Sequence, residues 1–117
     1  MAGVKHVLII EDDFDIREAL AELLRGEGYS VAEAPNGLEG LCAAHARKTH
    51  LILLDLMMPV MSGWQFMAAR KRDPVVAGIP VIVLSAATSL RDVEAAGHLQ
   101  KPCEVGSLLA TVERHAA

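Results

Sequence analysis

Residues 7–20, VLIIEDDFDIREAL, decide the fold class. The run from His6 to Ile10 is apolar at every position after its histidine. A half-buried strand would alternate apolar and polar residues, so an unbroken run of this length points to a strand covered on both faces. Glu11, Asp12 and Asp13 interrupt it, and the period then changes. Ile16, Leu20, Leu23 and Leu24 recur at i, i+4, i+7 and i+8, one face of a helix expected over Phe14 to Arg25. Gly26 and Gly28 close that helix, where the chain must turn to positive φ.

The same alternation continues outward. Further candidate strands are Ser30 to Ala34, Leu51 to Leu54, Pro80 to Leu84 and, more weakly, His98 to Gln100. Asn36 is a candidate N-cap for a second helix with Leu38, Leu41, Cys42 and His45 on one face. A third helix is expected over Gly63 to Arg72, closed by Asp73 and Pro74, and a short fourth over Ser89 to Ala96. Val105, Leu108, Leu109 and Val112 mark a last one. Strand and helix alternate about five times, which implies right-handed crossovers and a doubly wound α/β fold: a parallel sheet with helices on both faces. A length of 117 residues suits one domain, 1–117.

Composition excludes several classes. Hydrophobic residues at 52% and charged residues at 22% place the chain among folded rather than disordered sequences. With 15 acidic against 11 basic residues, a surface tracking nucleic-acid phosphates is not expected. No apolar run approaches a membrane span. Cys42 and Cys103 lack metal-type spacing and are expected to be small buried hydrophobes. A reduced, cytoplasmic setting follows as the expectation.

In open α/β sheets, ligands bind beyond the carboxyl ends of the strands, so the residues just after each apolar run carry the chemistry. These are Glu11, Asp12 and Asp13, then Asp55, then Ser85 and Ala86, then Lys101 and Pro102. Clustered carboxylates raise one another's pKa unless a cation compensates. Mg2+, which takes oxygen ligands and commonly only one or two carboxylates, meets that demand. Acids, metal, a lysine and a hydroxyl together describe a phosphoryl-transfer pocket. Trp64 and Phe66 are expected to pack the third helix, and the five histidines are assigned no metal.

Four segments in order, VLIIEDDFDIREAL, LILLDLMMPVMSGWQF, PVIVLSA and HLQKP, resemble the response-regulator receiver family and together cover nearly the whole chain. The resemblance implies a flavodoxin-like, five-stranded parallel sheet. It also implies that Asp55 is the phospho-acceptor and that Glu11 and Asp12 are the acidic pair, with Asp12 on the metal directly and Glu11 through water. Met57 would offer its backbone carbonyl to the metal. Ser85 would sense the phosphoryl oxygens, Lys101 would pair with them, Pro102 would follow a cis peptide bond, and Pro59 and Gly63 would shape the acceptor loop. The implied cofactor is Mg2+, and the implied partners are a histidine kinase or phosphotransfer protein and an unidentified downstream target. No enzymatic activity beyond self-catalysed phosphoryl acceptance and hydrolysis is implied.

The sequence departs from the family in three places. His98 stands where an aromatic usually precedes the lysine by three positions. Only 15 residues separate Ser85 from Lys101, so the fourth helix should be shortened, which makes the family's usual dimer surface incomplete and leaves a monomer or weak dimer as the expectation. Glu11 replaces the commoner Asp, and Cys103 a common Phe. The main rival reading is a phosphorylation-independent docking module on the same fold. A haloacid-dehalogenase-like phosphatase would want a second acid two residues after Asp55, where Met57 stands. A flavodoxin would want hydroxyls and free amides in the first loop, which is acidic here.

Overall fold

The computed structural model describes residues 3–58, 60–85, 94–101 and 103–116. Strands β1 (His6–Ile10), β2 (Ser30–Ala34), β3 (Leu51–Asp55), β4 (Val81–Ser85) and β5 (Gly97–Gln100) form one parallel sheet in the order β2-β1-β3-β4-β5. Helices α1 (Phe14–Gly26), α2 (Gly37–Ala46), α3 (Gly63–Lys71) and α4 (Val105–His115) complete the described elements. This is the doubly wound, flavodoxin-like arrangement expected from the alternation of runs. Pro59, Ala86 and Pro102 lie outside the described residues, as does most of the short helix expected over Ser89 to Ala96, whose last three residues, 94–96, belong to no helix. Two strands extend one residue further than read, so Asp55 and Ser85 end β3 and β4 rather than follow them.

Side chains alternate between the two faces at period two, and in the central strands β1, β3 and β4 nearly all of them are buried. Leu8, Ile10, Ile52, Leu54, Val81 and Val83 pack with Ala44, Phe66 and Met67, against α2 and α3. Val7, Ile9, Leu51, Leu53, Ile82 and Leu84 pack with Ala21, Leu24, Leu108 and Val112, against α1 and α4. Each apolar side chain taken fully from water contributes roughly 1.5–3 kcal/mol, so these two layers are the main stabilising force.

Helix α2 corrects the sequence reading. Its buried residues are Gly37, Gly40 and Ala44, whereas Leu38 is 52% exposed and both Cys42 and His45 face outward. A Cβ on Gly40 would fall 2.4 Å from Ile10 Cδ1, and one on Gly37 would fall 2.8 Å from Met61 Cγ. The helix approaches the sheet closely at Gly37 and Gly40, so small residues face inward there; of the expected face only Leu41 packs, partly buried, against the core. Cys42 is therefore not the buried hydrophobe expected, and Cys103 is only partly covered. Phe66 is buried as expected, but Trp64 is 43% exposed.

Local capping sets where three helices begin. The Asp13 carboxylate accepts from the Ile16 N–H at 3.1 Å, and the Asn36 side chain accepts from the Glu39 N–H at 2.9 Å. Ser62 and Gln65 form a reciprocal capping box, at 3.2 and 2.9 Å, that starts α3. Among the described residues, no helix is long and apolar enough to cross a membrane.

At the amino end of the sheet, the His6 N–H donates to His50 Nδ1 at 3.0 Å, and the His50 N–H donates to the His6 carbonyl at 2.8 Å. Burial, then the charges of Lys5 and Lys48 and the neighbouring His6, holds the His50 imidazole below its ordinary 6.5. The folded protein thus binds fewer protons here than the unfolded chain. This contribution to stability is complete above the ordinary value and is lost as pH falls through it toward the lower folded one. The urea midpoint is expected to drop as pH is lowered from about 7.5 to about 5, and to drop less in His50→Gln, which cannot titrate.

Candidate functional site

The chain leaves β1 for β2 on one side and returns to β3 on the other, so a crevice opens at the carboxyl ends of β1 and β3. Four elements deliver side chains there. Asp55 ends β3 at 5% exposure, Glu11 follows β1 at 1%, and Ser85 ends β4 at 0%. Asp12 is exposed beside Glu11, and half-buried Lys101 follows β5. The apolar runs behind these residues hold them: strand packing places each end, and the polar group projects where the run stops.

Lys101 ties the acids together. Its Nζ donates to Glu11 Oε1 at 2.5 Å and lies 3.4 Å from Asp55 Oδ1. Its backbone N–H donates to the Ser85 carbonyl at 2.9 Å, which binds the end of β5 to the end of β4. The Met57 N–H reaches Asp55 Oδ1 at 3.4 Å, while the Met57 side chain is 63% exposed. Carboxylate oxygens of Glu11, Asp12 and Asp55 all lie within 4.8 Å of one another.

Burial pushes the Glu11 carboxyl above its ordinary value, and the nearby Asp55 adds to this against the opposing pull of Lys101. Asp12 is raised too, by burial and by Glu11. Burial acts to lower the Lys101 ammonium, but its hydrogen bond to Glu11 and the charge of Asp55 outweigh that and raise it. Three acids crowded against one ammonium leave excess negative charge.

Glu11 Oε2 is buried without a hydrogen-bond partner. A buried, unpaired carboxylate oxygen is costly, and a hard divalent cation taking oxygen ligands is the group that would relieve it. The donor set therefore fits Mg2+.

The residues singled out from sequence divide as follows. Glu11, Asp12, Asp55 and Lys101 come together, and Ser85 and Met57 adjoin them through backbone bonds. Asp13 instead caps α1. His98 lies opposite Val83 on β5 with its side chain exposed. Gly63 donates its N–H to the Leu56 carbonyl at 3.0 Å and so pins the start of α3 to the residue after Asp55. Two neighbours escaped the sequence reading. Arg17 donates through Nη1 to the Glu11 carbonyl at 2.8 Å, and its Nε lies 3.3 Å from Glu33 Oε1. The signal was Glu33 itself, a charge within the otherwise small and apolar β2, where a carboxylate needs a partner.

The family model described as "Response regulator receiver domain" matches residues 7–113. The chain is 40% identical over 114 residues to the uncharacterized transcriptional regulatory protein YkoG of Bacillus subtilis, covering 92% of this chain and 49% of that protein. It spans about half the length of the curated relatives it matches. Among solved structures, the chemotaxis protein CheY4 of Vibrio cholerae superposes with a TM-score of 0.88 at 31% identity, covering 97% of this chain and 99% of that one. The signal receiver domain of a histidine kinase from Syntrophus aciditrophicus gives a TM-score of 0.88 at 30% identity, covering 97% and 90%.

Proposed function

Because this chain belongs to the response regulator receiver domain family, whose members are phosphorylation-dependent switches of two-component signalling, we propose that residues 1–117 form a single such switch and accept their phosphoryl group on Asp55. The donor is a phosphohistidine on a histidine kinase or phosphotransfer protein, the partners with which receiver domains work. The observation carrying this reading is the Lys101 ammonium, 2.5 Å from Glu11 and 3.4 Å from Asp55 at the converging ends of three strands.

An Asp55 carboxylate oxygen attacks phosphorus in line. An O–P bond forms, the P–N bond to the donor imidazole breaks with its electron pair passing to nitrogen, and the imidazole, already protonated at its other ring nitrogen, leaves neutral. Lys101, already beside Asp55, pairs with the incoming phosphoryl oxygens, and the Ser85 hydroxyl donates to one of them. Glu11 keeps Lys101 aimed into the crevice. Glu11, Asp12, Asp55 and the Met57 carbonyl would hold Mg2+, which when bound neutralises charge on the phosphoryl group. The phosphoaspartate adds roughly two negative charges, enough to draw neighbouring donors inward and bias the surface around them. Water later cleaves the acyl phosphate.

Intact-mass spectrometry after incubation with Mg2+ and acetyl phosphate tests this reading. One phosphate-sized gain is expected, lost on chelation and absent in Asp55→Asn. A folded protein that gains no mass and gives no beryllofluoride response would be a phosphorylation-independent docking module instead.

A further inference from the structure

The acidic loop between β1 and α1 carries two of the three clustered carboxylates, yet Asp12 is exposed and no strand holds it. The Glu11 N–H donates to the Ala34 carbonyl at 3.0 Å and Asp13 caps α1, and a further chain of contacts reaches the peptide between them from the neighbouring edge of the sheet. Glu33 on β2 meets Arg25 Nη2 at 3.2 Å and Arg17 Nε at 3.3 Å. Arg17 in turn donates through Nη1 to the Glu11 carbonyl at 2.8 Å. That carbonyl belongs to the peptide joining Glu11 to Asp12, so holding it constrains the peptide plane from which Asp12 departs.

The Arg17 side chain is only 13% exposed, and its guanidinium carbon sits 5.4 Å from the centroid of the Phe14 ring. Its Nε is buried without an aligned hydrogen bond, so the contact with Glu33 is an ion pair that places the guanidinium rather than a bond that saturates it. A part-buried cation that commits Nη1 to a carbonyl of the acidic loop gives up hydration that an Arg on an open helix face would keep.

We propose that Arg17 is a positioning residue: anchored by Glu33, it fixes the Glu11–Asp12 peptide so that the two carboxylates are set for a divalent cation before one binds. This rests on the reading of the site given above. Residues that orient ligands from behind alter metal affinity by about 10–100-fold when removed.

The test titrates the folded protein with Mg2+ by calorimetry and measures amide exchange in metal-free buffer. Arg17→Met, which keeps the stem and removes the donor, is expected to weaken Mg2+ binding about tenfold. It should also speed exchange at the Asp12 and Asp13 amides while leaving those of Leu8 and Ile9 unchanged. Glu33→Gln should shift both readouts in the same direction, and Arg17→Lys, which keeps a cation on a long stem, should recover part of the affinity. Wild-type and Arg17→Met protein binding Mg2+ equally, or a variant that merely unfolds at a lower temperature with unaltered affinity, would overturn the proposal alone. A wild-type protein that binds no Mg2+ would overturn the functional reading, and the inference with it.

Discussion

Lys101→Met is expected to destabilise the protein by about 3 kcal/mol in metal-free buffer near neutral pH, the scale for breaking a buried ion pair from one side. Glu11 is 1% exposed, and Lys101 makes the contact to its Oε1 while Oε2 has no partner. Removing the ammonium leaves both oxygens unpaired beside Asp55. Burial and Asp55 already hold the Glu11 carboxyl above its ordinary 4.5, and the variant removes the force that opposes them. A carboxyl raised on folding binds more protons in the folded state, so its penalty is greatest at high pH. It fades as pH falls through the raised value toward the ordinary one. Denaturation curves of variant and parent should therefore converge on acidification, and Mg2+ should restore part of the difference. Phosphoryl acceptance should slow about a hundredfold even where the variant is fully folded, since a fixed charge aimed at the reacting oxygens is gone.

Gly63→Ala should cost about 3 kcal/mol, measured by urea unfolding, and lower the rate of Asp55 phosphorylation about a hundredfold, because small misplacements of reacting groups are expensive. An added Cβ would fall 2.6 Å from Leu56 Cα and 2.8 Å from the Asp55 carbonyl oxygen. Both are backbone atoms that cannot rotate aside, so either α3 or the backbone at Asp55, the proposed acceptor, has to shift. Gly40→Ala is the informative contrast. Its nominal overlap is closer, at 2.4 Å from Ile10 Cδ1 and 2.9 Å from Ile10 Cγ1, but these are side-chain rather than backbone atoms. Gly40→Ala should lose stability without a comparable loss of phosphorylation, because the strain stays within the core under α2.

Much of the architecture is legible in the order of residues. The run at Leu51 to Leu54 reads as a fully covered strand and is one, with all five residues of β3 buried. Asn36 reads as an N-cap and bonds the Glu39 N–H. Such features are local: a cap needs only the next turn, and a strand covered on both faces needs only a run of apolar residues. The face of α2 could not be read this way. Leu38, Leu41, Cys42 and His45 have the right period, yet Gly37, Gly40 and Ala44 are the buried residues and only Leu41 of the four packs partly against the core. The distance between helix and sheet decides which side fits inward, and that distance is not a property of the helix sequence.

The candidate site divides along the same line. Sequence alone fixes which residue ends each apolar run, and so brings Glu11, Asp12, Asp55, Ser85 and Lys101 to one rim, since parallel strands with right-handed crossovers all point their carboxyl ends the same way. Tertiary structure alone decides how those groups share charge. Lys101 bonds Glu11 more closely than Asp55, Asp13 turns away to cap α1, and Arg17 reaches back from α1 to the Glu11 carbonyl. Chain order determines which strand end carries a group, whereas hydrogen bonding and charge act over a few ångströms between segments far apart in sequence, and only the packed fold sets those distances.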